Sequence, residues 1–598
     1  MIGYDYNGII TSGIKPVKGS VVITGNHKDK EEEMRNLVPI DMPIYFNKGE
    51  DDSESIGHFK SKMIKKLKIK TFYEDQQIEA DIIRAENPDV EVIIPPKKLG
   101  NIVIITDEWL APSLALSMKN ENYNVMLAVK RNSDILKGTI KRIPYAERLE
   151  YAKSADLIIY EDKSNKGESA QLRADGKCVI GGDKLTDRLE LDRTWANNIA
   201  RLSGILAPEM IEVDSFEMVR DIITSRGGKW VLKQQGKLDE VKGLNFVSKM
   251  DNSEDMLDYL EIMEKNWIEG VKKDFVLQEK ITGHEMACGS FWNGHEFMKD
   301  KDGDELCYEN WEHKALFPGN LGESTGEQYT VIQCVKAKYS KIFMETLDKC
   351  RELLKKVDYK GYFDINTIVT EKGAYFLEFT PRMGVPFASG LLEIHKSSWF
   401  EFLYAMAEGT QAKDFEYDPN FCIVSWLYTK PFPFVNSHKM TALYEEQEPP
   451  TKMEDIAELM SFRMCNSEGI KVNFSKEFTK EDWKHIHPDG VMYKDGILKI
   501  ANPDGYVLTA SETGDTPEQA GEKVNDLLKK IIIPKSFWRN DFEKSNYHKC
   551  KEDLEKWGYI LSGEKKQANY QEEQLKKKQV KTENNRKIVR EKIKELIM

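Results

Sequence analysis

The sequence predicts an α/β protein of several domains, and three observations carry that expectation. A chain of 598 residues is too long for one hydrophobic core, so roughly three to five domains are expected. Through the first third, short apolar runs that end in polar residues alternate with helical stretches, the pattern of open parallel sheets. Further on, GYFDINTIVTEKGAYFLEFTPRMGVP (361–386) alternates apolar and polar residues on both sides of a turn at Glu371-Lys372-Gly373, which predicts a hairpin.

Composition narrows the class. A hydrophobic content of 40% with 10% aromatics describes a well-packed soluble chain. A formal net charge of -13 opposes binding along a phosphate backbone, so no nucleic-acid partner is expected. Eight cysteines without a CxxC pair fit a reducing, cytoplasmic setting. The start, MIGYDYNGIITSG, has no basic region followed by an apolar core, and no apolar run reaches membrane-spanning length. No membrane association is expected; a homodimer is among the expected assemblies.

Residues 1–97 read as a first domain. IGYDYNG gives a short strand ending in Asp5, SVVITGN a second ending in Thr24, HFKSKMIKKLKI a helix, and TFYEDQQ and VEVIIPP two further strands. Polar residues at strand C-termini mark the ligand-binding edge of a parallel sheet. The segment resembles the haloacid dehalogenase (HAD) phosphatase superfamily, which implies an HAD-like Rossmannoid module. By that resemblance Asp5 is the phosphoryl-accepting nucleophile, Thr24 holds the phosphoryl group, Lys60 (with Lys62 as the alternative) neutralises charge, and Glu74 and Asp75 bind magnesium. Asn7 stands where the family has its proton-donating aspartate, and an amide cannot act as that acid.

Residues 98–198 open with NIVIITDEWLAPSLALSMKNENYNVMLAVK, a strand–helix–strand unit without GxGxxG, hence Rossmann-like but not a dinucleotide site. In 199–410, GKWVLKQQGKLDEVKGLNFVSK gives two strands around a loop. Lys233 closes the first strand, and Lys242 sits in the loop between Gly236 and Gly243, a way to drape N–H groups and positive charge over phosphates. FVLQEKI, ending in Glu279-Lys280-Ile281 and followed by Glu285, offers a backbone edge and carboxylates to adenosine. On the 361–386 hairpin, Asp364 and Asn366 share one strand face, and Glu378, Thr380 and Arg382 share one on the partner. Two carboxylates, an amide and a guanidinium on one patch suit magnesium on nucleotide phosphates; a plain solvated face is the alternative.

With WVLK, LQEKITGHE, WEHK, GYFDINTIV, YFLEFTPRMG and the late PDGYVLTASETGDTPEQAGEKVNDLLKKI in this order, residues 101–545 resemble the ATP-grasp superfamily and, within it, the phosphoribosylamine–glycine ligases. The resemblance implies a pre-ATP-grasp domain (98–198), a two-lobed ATP-grasp domain (199–410) and ATP with Mg2+ (or Mn2+) as cofactors. It also assigns roles. Lys233, Lys242 and Lys314 would contact phosphates, Glu279 and Ile281 adenine, and Glu285 the ribose. Asp364, Glu378 and Asn366 would attend the metal, and Arg382 the transferred phosphate. This chain has Thr380 where the family has a metal-binding Asn, TDEWLAPS where it has its amine-substrate loop, and Val385-Pro386-Phe387 where it has an acidic pair.

Beyond Gln411, FCIVSWLYTKPFPF, GIKVNF, GVMYKDGILKI and GYVLTA predict a small β-rich C-terminal domain (411–545), with His485 and His487 as surface histidines of a turn. Residues 546–598, rich in Lys, Glu and Gln, predict a charged helical tail. The expected activity is ATP-dependent joining of a small carboxylate to an amine through an acyl phosphate, with a nucleotide-like or phosphoribosyl compound among the candidate substrates. The alternatives are a bifunctional ligase with HAD-type phosphatase activity, and an ATP-binding regulatory protein with eroded catalysis.

Overall fold

The computed structural model describes residues 2–10, 15–39, 41–49, 52–74, 76–93, 100–106, 112–130, 134–161, 167–235, 244–413, 415–433, 456, 467–544 and 546–560, without the side chains of residues 7, 8, 77 and 323. Asp75, Lys242, most of TDEWLAPS and the tail beyond 560 lie outside these residues. The chain forms two compact units, Met1–Gly100 and Asn101–Met598.

The first unit is a five-stranded parallel sheet of β1 (Ile2–Tyr4), β2 (Val21–Thr24), β3 (Ile44–Phe46), β4 (Thr71–Tyr73) and β5 (Glu91–Ile93), ordered β3-β2-β1-β4-β5. Alternation along β2 sends Val21 and Ile23 to one face and Val22 to the other, and both faces are covered. Of its helices, α1 spans Glu31–Met34; α2 (Ser53–Leu67), started by Asp52 accepting from the Ser55 N–H at 2.9 Å, and α3 (Gln77–Glu86) deliver Ile64 and Ile83 to the Phe72 core.

The second unit begins with another parallel sheet, built from β6 (Asn101–Thr106), β7 (Asn124–Val129), β8 (Lys141–Arg142), β9 (Leu157–Tyr160) and β10 (Val179–Ile180) in the order β10-β9-β6-β7-β8. The continuous apolar run of β6 is what a strand buried on both faces requires. Helices α4 (Pro112–Asn120), α5 (Arg148–Ser154) and α6 (Glu168–Ala174) belong to this layer, and α7 (Lys184–Leu191) and α8 (Arg193–Leu202) lead out of it. Next comes a four-stranded antiparallel sheet, β11 (Met210–Val213), β12 (Trp230–Gln234), β13 (Phe246–Val247) and β14 (Phe275–Glu279), ordered β11-β14-β12-β13. Helices α9 (Phe216–Arg226) and α10 (Glu254–Asn266) close its core through Val219, Ile223, Met256 and Leu260.

The largest sheet joins β15 (His284–Trp292), β16 (Leu306–Phe317), β17 (Leu321–Lys336), β18 (Gly361–Thr370), β19 (Gly373–Thr380), β20 (Phe421–Tyr428), β22 (Ile486–His487) and β25 (Tyr506–Gly514), in the order β19-β18-β15-β16-β17-β20-β25-β22; β21 (Asn473–Phe474) and the pair β23 (Val491–Lys494) and β24 (Ile497–Ile500) lie outside it. Strands β20, β22 and β25 therefore extend the sheet that carries the 361–386 hairpin, where the sequence had suggested a separate small β domain. The pattern of short strands is local, whereas the sheet they join is set by pairing across the chain: Tyr329 with Ser425, and Ser425 with Ala510. His487 is buried and shares a 2.7 Å hydrogen bond with Ser511, and His485 Nδ1 lies 2.9 Å from Glu393, so neither is a surface turn residue.

Candidate functional site

Register decides which side chains of the large sheet meet. Ala287 stands opposite both Asn310 and Asn366, Gly289 opposite Tyr308 and Asp364, Asn366 opposite Glu378, and Glu312 opposite Thr330. Residues opposite each other share a face, and so do residues two apart. Glu285, Asn310, Glu312, Asp364, Asn366, Glu378 and Thr380 thus occupy one face. The intervening residues Met286, Cys288, Trp311, Tyr329, Phe363 and Ile365 form the buried core on the other. One period-two pattern therefore builds a polar working face on an apolar foundation. Gly289 is required where it stands, because a Cβ there would lie 1.9 Å from the Tyr362 hydroxyl.

The hairpin places Asp364 opposite Thr380, with a bulge after Asn366 that leaves Thr367 opposite Phe376. Asn366 Nδ2 donates to Glu378 Oε1 at 3.3 Å, and Arg193 Nη1 to Glu378 Oε2 at 3.5 Å. Lys314 bridges Glu285 and Glu312. Arg382 lies just past β19 and is held by Glu190 of α7, its Nη2 at 2.9 Å and Nε at 3.2 Å both donating to the single oxygen Oε1. Lys233, half-buried, is the penultimate residue of β12 in the neighbouring sheet, which Gln234 closes, and it acts electrostatically on Glu378. Glu279 closes β14, exposed, its backbone N–H donating to Glu209 O at 2.9 Å, and Ile281 follows half-buried.

Charge is sorted across this face. Burial raises the Asp364 carboxyl to about 8, and Glu312 nearby pushes the same way. Burial would raise Glu378 too, but Lys314, Arg193, Lys233 and Arg382 outweigh it and bring that carboxyl to about 2. Glu378 is the standing anion; Asp364 is held protonated until a cation arrives. Asp364 Oδ1 and Asn366 Oδ1 meet no donor at hydrogen-bonding geometry among the described residues, although the Ile365 N–H and the Asn310 side chain act on the Asp364 carboxyl to lower it. Two carboxylates, an amide oxygen and free lone pairs are the hard-oxygen donor set that magnesium takes when phosphates and water complete its shell. Among the described residues no group of three or more His, Cys, Asp or Glu could hold a metal unaided.

Glu312, Arg193, Asn310, Glu327 and Gln328 were not singled out from sequence. Asn310, Glu312 and Lys314 carried a signal, polar residues at strand spacing. Arg193 comes from helix α8, and Glu327 sits in a bulge whose orientation no local pattern fixes.

In the first unit, Asp5 closes β1 and Lys60 of α2 is 2.8 Å from Asp5, 2.8 Å from Glu74 and 2.6 Å from Glu79, all four buried. A cleft of about 500 Å³ is lined by Asp5, Lys60, Gln76, Glu79, Asn26 and His27. Glu74 is wholly buried beneath Lys60, its carboxyl raised to about 8 by burial against the pull of Lys60; Glu79, not anticipated, lines the cleft with Asp5 and Asp29.

Residues 191–388 match the model of the phosphoribosylglycinamide synthetase ATP-grasp (A) domain. The chain is 22% identical over 429 residues to a phosphoribosylamine–glycine ligase of Clostridium acetobutylicum, covering 67% of this chain and 89% of that one. It is 24% identical over 377 residues to the enzyme of that name from Methanococcus maripaludis, covering 59% and 80%. The crystal structure of the Thermotoga maritima phosphoribosylamine–glycine ligase superposes with a TM-score of 0.53 at 19% identity, over 74% of this chain and 99% of that one. Together with the two antiparallel sheets and the charged face, these likenesses identify the centre of this chain as an ATP-grasp domain.

Proposed function

We propose that this protein is an ADP-forming carbon–nitrogen ligase that uses ATP to activate a carboxylate as an acyl phosphate and passes the acyl group to an amine. The observation that carries the reading is Glu378: a carboxylate kept ionised by four cations from three layers of the fold, beside unpaired oxygens of Asp364 and Asn366. Glu378, Asp364 and Asn366 would hold magnesium (or manganese), which when bound supplies charge neutralisation and polarisation of the phosphates. Lys233 and Lys314 offset phosphate charge, Glu279 and Ile281 border the adenine side, and Glu285 the ribose. Arg382 reaches the transferred phosphate by exchanging Glu190 for it, which ties phosphate arrival to movement at α7. Catalysis is positioning and charge cancellation, with no protein nucleophile.

The relatives' names point to glycine and phosphoribosylamine. TDEWLAPS and Val385-Pro386-Phe387 differ from the family's substrate loops, so we assign the class, a small carboxylate and an amine, rather than that pair. No disulfide joins the seven described cysteines and, among the described residues, no helix is long and apolar enough to cross a membrane; we place the enzyme in the cytoplasm.

The test is ADP release from ATP and magnesium against pools of carboxylates and amines that include glycine. ADP formation should require both partners and fall about 100-fold or more in Glu378→Gln. Turnover that survives this substitution, or tight ATP binding without turnover in any pool, overturns the reading.

The first unit supports a second, separate reading as an HAD-like phosphoryl-transfer module, because its central strand delivers Asp5 to Lys60 at the floor of a cleft. A phosphatase assay on Asp5→Asn decides it.

A further inference from the structure

The back of the large sheet carries a cleft that the ligase chemistry does not use. Glu309 lies on β16 between Tyr308 and Asn310, opposite Cys288 of β15 and Gln333 of β17. It therefore faces the core side of the sheet, away from Glu312, Asp364 and Glu378. A cavity of about 410 Å³ opens there, with the helix Asn546–Lys556 as its other wall. Glu309 and Gln333 line it together with the rings of Tyr417, Phe421, Tyr547 and Tyr559. The volume is that of a small-molecule site.

The carboxyl in this cleft lacks a counter-charge. Glu309 is 5% exposed, and a carboxylate buried to that extent is ordinarily paired with a cation. Ser340 Oγ, donating at 2.6 Å, is its one side-chain hydrogen-bond partner among the described residues, and no lysine, arginine or histidine among them forms an ion pair with it. Burial raises the carboxyl to about 7 against that hydrogen bond. Lys336 lines the same cavity, but its ammonium is already held by Asp304 at 2.9 Å, Asp302 at 3.2 Å and Asp300 at 3.4 Å. Lys551 is exposed. The wall is firm: Tyr547 packs edge-on against Trp311 and Phe421, with centroids at 4.9 Å and 5.1 Å. Glu309 acts electrostatically on the Tyr547 hydroxyl, so the acid and that ring share one end of the cleft.

We propose that this cleft binds a small organic cation, a primary ammonium on an aromatic body, with Glu309 receiving the charge and Tyr417, Phe421 and Tyr547 the ring. A carboxylate beside aromatic faces is the environment that stabilises such a cation, through a charge-assisted hydrogen bond and the ring quadrupoles. An anion would meet Glu309 and Glu555 without a free cation to offset them, and an uncharged ligand would leave Glu309 as it stands. The site lies on the opposite face from the nucleotide groups, and the proposal does not rest on the ligase reading.

The experiment is calorimetric titration of the full-length protein with benzylammonium as probe and benzyl alcohol as the uncharged control of the same shape. Saturable binding of the cation is expected, with the alcohol about tenfold weaker or more, and the cation weakened about tenfold or more in Glu309→Gln. Wild-type affinity should rise from about pH 6 to about pH 8, as the empty site gives up the proton that competes with the cation, and stay flat in Glu309→Gln. Cys334, Lys336, Tyr339, Lys551, Glu555 and the tyrosines are the other titratable groups lining the cleft, and the comparison with Glu309→Gln isolates the carboxyl from them. Tyr417→Ala, in a half-buried wall, should weaken binding in the same direction and serves should Glu309→Gln fail to fold. No binding by the wild type, equal affinity for the alcohol, or affinity unchanged in these variants overturns the proposal. So does binding that falls in Glu378→Gln instead, because it would place the cation on the working face.

Discussion

Replacing Asp364 by Asn isolates one buried charge. Asp364 is 6% exposed and its carboxyl is raised from an ordinary 3.8 to about 8. Between those values the folded protein holds a proton that the unfolded chain has released, so stability falls as pH rises from about 4 to about 8 and then levels off. At about 1.36 kcal/mol per unit the whole shift corresponds to an upper bound of roughly 6 kcal/mol, and relaxation around the carboxylate reduces it to about 2–4 kcal/mol. Asparagine keeps the shape and amide-like polarity of the neutral acid and cannot ionise. Without nucleotide and with EDTA, Asp364→Asn should therefore match wild type near pH 4–5 and exceed it increasingly up to pH 9. Urea titrations of both proteins at pH 5, 7 and 9 provide the assay. Glu74, whose shift comes from burial, Lys60, Asp5 and Glu79 in the first unit, contributes equally to both proteins and cancels. Parallel stability curves across this range would refute the argument that Asp364 is stored neutral.

The remaining predictions are briefer. Gly289→Ala should destabilise the second unit by about 1–3 kcal/mol, because the new methyl meets the Tyr362 hydroxyl at 1.9 Å; a melting temperature equal to wild type would show that Tyr362 moves freely. In the first unit, hydrolysis of p-nitrophenyl phosphate with magnesium should disappear in Asp5→Asn. Activity that persists in that variant would end the nucleophile assignment, and no activity in wild type would leave Lys60 with the structural role of holding three carboxylates.

Much of the site was legible because strands write their faces into sequence. Asp364 and Asn366 two apart, with Glu378 and Thr380 two apart across a Gly-containing turn, had to share a face once the hairpin closed, and register confirms that they do. Asp5 at the end of a short apolar strand, and the helix bearing Lys60, were equally local signals. The sequence by itself determined these periodicities, the turn that closes the hairpin, and the order of α and β segments, since each depends on a few neighbouring residues. Tertiary structure alone decided that β20, β22 and β25 extend the large sheet, and that Arg193 reaches Glu378 and Glu190 captures Arg382. It also decided which carboxyl is charged. Asp364 and Glu378 are alike in sequence, and only the summed burial and the cations gathered from distant segments set one near 8 and the other near 2. Electrostatics and long-range pairing are properties of the assembled fold, and no local window of sequence contains them.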